Sequence, residues 1–482
     1  MRRIPQEQVR SRMRAENPWW DGAGIRDDYA RMKRRAYFAR FKRLVLQTDV
    51  RRAVVLMGPR RVGKTVLLHH LIAHLLDGRR YGPRDIGYVS LDQPLYTRLP
   101  IEEIAGELRE ASGGAGIPRM LLLDEIQYLA DWERHLKVFV DAHPEVRCVA
   151  SGSAAAALRL KSIESGAGRF TDFLLPPLTF YEFLDLQNAT TLVDETPGGV
   201  RIAGGDGTEL NRQFVDYLNV GGYPEAVAST AVRADPRRYI GADIVEKVLL
   251  RDLPSLYGIQ DVQELNALYT TLTYNTAGEV SLEGLSRDSG VTKPTLRRYL
   301  EYLEAAFLIR VVHRIDHNAH RFRRATRFKV YVTTPALRAA LFGPVQENDD
   351  AMGALAESAV FAQWFHADVD LHYARWRAGR EIGEVDLVHL DKRQKPSWCL
   401  DVKWSDRPGQ RPDELASLAN FARRHPDAAV LVTTRTLERS VSSWPGPGRL
   451  NAVPTSLYCY AVGRAVVRDP AAAPFWRAET DR

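Results

Sequence analysis

The stretch Gly58-Pro59-Arg60-Arg61-Val62-Gly63-Lys64-Thr65 constrains the fold more than any other part of the chain. It follows an apolar run of strand length, Ala53–Met57. The segment after it is apolar at Val66, Leu67, Leu68, Leu71, Ile72 and Leu75, the spacing of a helix. A strand, a glycine-bearing loop and a helix in that order form a phosphate-binding unit. The glycines allow backbone N–H groups from about Arg61 to Thr65 to face an anion at a helix N-terminus. Lys64 is expected to reach the β- and γ-phosphates of ATP, and the Thr65 hydroxyl to ligate its Mg²⁺.

Four more short apolar runs, Ile86–Leu91, Met120–Leu123, Arg147–Ala150 and Phe170–Leu175, alternate with helical stretches. That alternation predicts an α/β fold with a parallel sheet. Met120–Leu123 ends in Asp124-Glu125, a pair suited to hydrolysis. Asp124 would hold Mg²⁺ through water, and Glu125 would polarise the attacking water. Ser151, closing the run RCVA, is placed to touch the γ-phosphate or that water. Arg169, just before the fifth run, reads as an arginine finger for a neighbouring subunit's ATP or as a surface charge. His69, His70 and His74 lack further zinc ligands and read as surface or packing residues.

At roughly 150 residues per domain, 482 residues suggest about three domains. Hydrophobic residues at 45% and charged residues at 26% fit a soluble globular protein, and no apolar run is long enough to span a bilayer. The basic start lacks the apolar core of a secretory signal. Cys148, Cys399 and Cys459 stand far apart, so a reducing, cytoplasmic location without membrane association is expected. Residues 1–52 hold 15 Lys/Arg against 6 Asp/Glu, whereas the remaining 430 hold 52 against 54. The excess is thus an N-terminal arm suited to nucleic acid, or else an amphipathic helix carrying Tyr29, Met32, Ala36 and Tyr37.

Residues 188–208 are rich in Thr, Gly and Asp and read as a loop. Leu282–Ser289, a turn at Gly290, and a helix entered at Thr292 with Pro294 in its first turn resemble a helix-turn-helix. Lys293, Arg297 and Arg298 fall near the start of its second helix, where DNA-contacting residues belong. Arg310, Arg314, Arg321, Arg323, Arg324, Arg327 and Lys329 follow against the single acid Asp316, a phosphate-tracking pattern. The alternative is a packing module with solvated arginines. Further on, Glu357, Asp386 and Asp401-x-Lys403 match the carboxylate and lysine spacing of metal-dependent nucleases, implying a second Mg²⁺ or Mn²⁺. Asp401 and Lys403, two apart on a strand, face one side.

The stretches VVLMGPRRVGKT, MLLLDEIQYL, VASGS, GAGRFTDFLLPPLTFYEFL and YLNVGGYPEAV resemble AAA+ ATPases of the AAA_14 type joined to a DUF4143 region. LRRYLEYLEAAFLIR, KVYVTTPALRAAL, GALAESAVFAQW, EVDLVHL and LDVKW continue the likeness. The resemblance implies a P-loop AAA+ core with a helical lid, then a winged helix, then a PD-(D/E)xK-like α/β domain. Its divisions here are an arm 1–52, a core 53–180, a lid 181–275 with the insertion 188–208, a winged helix 276–345 and a nuclease-like domain 346–482. It also implies that Pro224, in Gly222-Tyr223-Pro224, packs near the adenine, a turn-forming role being the alternative. Thr333-Thr334 depart from the family pattern, which places an Asp there. DNA and further copies of the chain, in a hexameric ring, are the expected partners. Three readings stay open: an ATP-driven DNA-remodelling motor, an ATP-regulated nuclease, and a slow nucleotide switch.

Overall fold

The apolar runs of the N-terminal third become five parallel strands, β1 (Ala53–Met57), β2 (Ile86–Ser90), β3 (Met120–Asp124), β4 (Arg147–Gly152) and β5 (Phe170–Leu174), ordered β2-β3-β4-β1-β5. Parallel strands are covered on both faces, which is why β1 is buried at every residue and reads as one unbroken apolar run. Helices Lys64–Asp77, Ile101–Ser112 and Trp132–Ala142 lie between successive strands. In this computed structural model the sheet belongs to a first compact unit, Met1–Pro176, and a second unit comprises Pro177–Arg482. The structure describes residues 5–47, 49–78, 80–96, 99–152, 168–196, 199–321, 326–367, 369–378 and 381–469.

The basic segment is not a free arm. Helix Gln6–Glu16 packs on Ile101–Ser112, burying Val9 and Met13, and Arg10 Nε lies 2.7 Å from Glu107 Oε2. Asn17 accepts the Tyr88 N–H at 2.7 Å and donates to the Tyr88 carbonyl at 2.8 Å. The indole N–H groups of Trp19 and Trp20 both donate to the Ile86 carbonyl, at 3.0 and 2.8 Å. These contacts satisfy the outer edge of β2, the edge strand, as a neighbouring strand would. Helix Phe38–Leu46 buries Phe38, Phe41 and Val45. The amphipathic helix expected through Tyr29 and Ala36 is reduced to Asp27–Ala30, with Met32 47% exposed. Charge dominates the composition of this segment, but its aromatic residues determine where it sits.

In the second unit, β6 (Val193–Thr196) and β7 (Gly199–Ile202) form an antiparallel pair inside the stretch expected to be a loop. Only Val193, Val200 and Ile202 are buried there, too few apolar residues to stand out from their polar neighbours. The main sheet has nine strands: β8 (Glu279–Ser281), β9 (Ile309–Ile315), β10 (Arg327–Val332), β11 (Leu371–Ala378), β12 (Glu381–Leu390), β13 (Pro396–Asp401), β14 (Ala429–Thr434), β15 (Arg439–Val441) and β16 (Leu450–Pro454). Their order is β15-β16-β14-β13-β12-β11-β9-β10-β8. The boundary expected at 345/346 therefore does not separate two sheets, because β9 pairs with β11 at Tyr373–Arg314 and Ala374–Ile315. The compact division of the chain falls at 176/177, before the expected lid.

Between β8 and β9 lie helices Leu282–Ser289 and Lys293–Ala305. Ser281 caps the first by accepting the Gly284 N–H, and Gly290, at φ 74°, ends it. Thr292 caps the second, and Pro294 sits in its first turn, where a missing N–H costs nothing. Helix Thr455–Arg468 packs against Met352–Trp364 and Phe180–Leu186. Among the described residues, no helix is long and apolar enough to cross a membrane.

Candidate functional site

The loop after β1 has two positions that only glycine fits. A Cβ on Gly58 would stand 2.2 Å from the Leu175 carbonyl oxygen, and Gly63 adopts φ 91° immediately before helix Lys64–Asp77. Arg35, buried, donates to the carbonyls of Val62 at 3.0 Å and Pro176 at 2.9 Å, bracing the loop from below. Lys64 Nζ donates to the carbonyls of Gly58 at 3.1 Å and Pro59 at 2.8 Å. Pro59, Arg60, Arg61 and Val62 form the turn between them, with Arg61 at φ 60°. The loop thus opens at the positive end of a helix dipole, with an ammonium drawn in toward it.

The expected acids converge on this loop. Thr65 Oγ1 donates to Asp124 Oδ2 at 2.7 Å, although β1 and β3 are separated by β4. Ser151, on β4, donates to Asp124 Oδ1 and accepts the Glu125 N–H at 3.4 Å. Tyr88, on β2, donates to Asp124 Oδ2 at 2.9 Å; burial, then the Asp124 charge, raises its phenol well above the ordinary range. Glu125 adopts φ 55° and accepts from Gln127 Nε2 at 2.5 Å. A hydroxyl and a carboxylate 2.7 Å apart beside a phosphate loop have the oxygen chemistry that would hold a divalent cation. Sequence reasoning missed Tyr88, Arg35 and Gln127, since nothing in the local pattern ties these residues to the loop.

His69 and His70 are buried and pack against aromatic rings. His69 lies between Tyr29 and Tyr88, with ring centroids 4.3 and 4.7 Å away, and its Nδ1 donates to the Thr65 carbonyl at 2.9 Å. Burial holds its pKa down at about 4, so the ring stays neutral near pH 7.

The remaining candidates stand elsewhere. Arg169 is at the opposite end of the sheet from the phosphate loop; its carbonyl accepts the Ala53 N–H, and its Nε lies 2.5 Å from Asp141 Oδ1. It does not reach the ATP site of its own chain, so a finger role requires a second copy. Pro224 belongs to the second unit, where it opens the short helix Pro224–Ala228. Thr333 and Thr334 donate to the carbonyls of Phe307 at 2.5 Å and Gly221 at 3.3 Å. Lys293, Arg297 and Arg298 are exposed on the second helix of the helix-turn-helix. Arg321 is paired with Asp370 and Arg327 with Glu279, while Arg323 and Arg324 lie outside the described residues. Lys329, counted among the phosphate-tracking charges, is instead buried. Strand β10 is buried on both faces from Phe328 to Val332, and alternation puts Lys329 on the same face as Tyr331.

The nuclease-like set also assembles. Lys403 Nζ lies 3.0 Å from Asp401 Oδ1 and 3.5 Å from Asp386 Oδ2, and Lys329 Nζ lies 2.8 Å from Glu357 Oε1. Burial disfavours the charge of Asp386, but Lys403 and Lys329 outweigh it and hold the carboxyl at about 2. Burial, then the Asp386 charge, raises Glu357 to about 7 and lifts Asp401 well above the carboxylate range. A cavity of about 620 Å³ opens beside the cluster, lined among others by Glu384, Asp386, Asp401, Lys403 and Arg407.

The parallel sheet, the loop after β1 and the carboxylate ending β3 define the first unit as a P-loop AAA-type core with an ATPase fold. Residues 50–184 match the AAA_14 family, an AAA domain, and residues 211–348 match DUF8612, a domain of unknown function, where the sequence resemblance had named DUF4143. An uncharacterized protein of Haemophilus influenzae is 22% identical over 302 residues, 61% of this chain and 70% of its own. An uncharacterized protein of Methanocaldococcus jannaschii is 24% identical over 335 residues, 65% of this chain and 68% of its own. Among solved structures, the replication initiator DnaA bound to AMPPCP and single-stranded DNA overlaps 56% of this chain and 86% of its own, at 14% identity and a TM-score of 0.26. AMPPCP-bound DnaA from Aquifex aeolicus overlaps 55% and 86%, at 14% and 0.27. Overlaps that loose carry no functional argument.

Proposed function

We propose that this protein hydrolyses ATP with Mg²⁺ and uses the turnover to remodel DNA as an assembly of several copies. The observation carrying this reading is the Thr65–Asp124–Ser151–Glu125 chain, which joins the metal-side and water-side groups of the loop in one hydrogen-bonded unit. Lys64 exchanges the Gly58 and Pro59 carbonyls for β- and γ-phosphate oxygens. Thr65 and Asp124 would hold a Mg²⁺, which would supply charge neutralisation to the phosphates. Glu125 takes a proton from water as the water oxygen bonds to the γ-phosphorus and the bond to the β-phosphate oxygen breaks, giving ADP and phosphate. Ser151 links the Asp124 carboxylate to the Glu125 backbone N–H and so fixes where the Glu125 turn stands relative to that carboxylate. Arg169 of a neighbouring copy would complete the charge balance around the γ-phosphate.

DNA contact is assigned to the second helix of the helix-turn-helix, followed by antiparallel strands in the order of a winged helix. Lys293, Arg297 and Arg298 keep their charges in solvent there, and phosphate contact needs accessible cations. Changing all three to Ala is expected to weaken duplex binding and to flatten its log–log salt slope by about 2 to 3, at roughly 0.9 per phosphate contact. Fluorescence anisotropy across a salt series checks this; an unchanged slope removes the helix from the DNA surface.

A further inference from the structure

Lys329 lies where the carboxylates of the second unit would have to gather a metal ion. The residue is 3% exposed. Its Nζ is 2.8 Å from Glu357 Oε1, 2.8 Å from Glu384 Oε1 and 3.4 Å from Asp386 Oδ1. The second oxygen of Asp386 faces Lys403 and accepts the Val402 N–H at 2.8 Å, and Tyr331 donates to Glu357 Oε1 at 2.6 Å. A nuclease-like pattern supplies one lysine, here Lys403. Lys329 is a second, arriving from β10, which β9 and β11 separate from β12 in the sheet. Mg²⁺ requires oxygens at about 2.0–2.1 Å in near-octahedral array. An ammonium at hydrogen-bonding distance from the same oxygens takes both the space and the charge that such an ion would use. Among the described residues, no group of three or more His, Cys, Asp or Glu is arranged to hold a metal ion. The second Mg²⁺ or Mn²⁺ expected from spacing therefore does not fit.

We infer that Lys329 is the built-in cation of this centre, replacing the divalent ion and tying β10 to β12 and to helix Met352–Trp364. The ion-pair cluster is then a cross-link between strands that do not pair, and it binds no metal while Lys329 is present. The inference is independent of what the first unit does.

The test is Mn²⁺ binding by the full chain, followed by electron paramagnetic resonance of the free ion without nucleotide. Wild type is compared with Asp386→Asn, so that ions held by the phosphate loop cancel. Equal stoichiometry is expected. Lys329→Met, which keeps the length of the side chain without its charge, should gain one Mn²⁺ per chain that wild type does not bind. Lys329→Met with Asp386→Asn should lose that ion again. A wild-type chain that binds one ion more than Asp386→Asn overturns the inference, as does a folded Lys329→Met chain that gains none. Should Lys329→Met fail to fold, the wild-type comparison, repeated with the more exposed Glu384→Gln, decides alone.

Discussion

Glu125→Gln is expected to bind ATP and Mg²⁺ as the parent does and to hydrolyse the nucleotide about 10²- to 10⁴-fold more slowly, the usual contribution of a positioned general base. The amide fits the same space and leaves the Ser151 contact intact, because that contact uses the Glu125 backbone N–H and not its side chain. Only the ability to take a proton is removed. Calorimetric titration with ATP and steady-state phosphate release separate the two effects. Turnover at the parental rate would mean that another group activates the water. Lys64→Ala should behave differently and lose ATP affinity, since its ammonium is held against the Gly58 and Pro59 carbonyls of the loop.

The second large effect concerns stability. Trp19→Ala and Trp20→Ala are each expected to destabilise the first unit by about 3–5 kcal/mol, the usual cost of deleting a large buried aromatic side chain. Trp19 is 1% exposed and Trp20 7%, and both indoles serve the Ile86 carbonyl on the outer edge of β2. Their loss opens a cavity and uncovers the edge together. Chemical denaturation followed by circular dichroism reads the change. Neutral substitutions of the exposed Arg12 and Arg31 should leave stability nearly unchanged, whereas a fully stable variant carrying both Trp19→Ala and Trp20→Ala would mean that the N-terminal segment is dispensable to the fold.

That contrast shows where the sequence was legible. The helix-turn-helix could be read residue by residue, because Ser281, Gly290, Thr292 and Pro294 act on their immediate neighbours. The phosphate loop was legible for the same reason, its glycines answering to local backbone geometry. Asp124, Glu125 and Ser151 could be named because each closes an apolar strand, and parallel strands bring those ends together. The N-terminal segment was misread because its charges are visible in composition while the partners of Asn17, Trp19 and Trp20 lie some 70 residues away. Tyr88 reaches Asp124 across 36 residues, and Lys329 reaches Asp386 across 57. In each case a side chain acts on a group that chain order does not place beside it. The strands β9 and β10 were expected to present cations to DNA, but Lys329 is buried and acidic neighbours engage Arg321 and Arg327.

The reading as a remodelling motor is tested most directly on labelled forked and four-way DNA with Mg²⁺, with and without ATP, the products run on native and denaturing gels side by side. Separated strands of full length, appearing only with ATP and absent with Glu125→Gln, are the predicted result. Junctions that stay intact while ATP is consumed would contradict the motor and favour a nucleotide switch. Shortened strands lost on changing Asp386 to Ala would contradict both the motor and the lysine-filled centre.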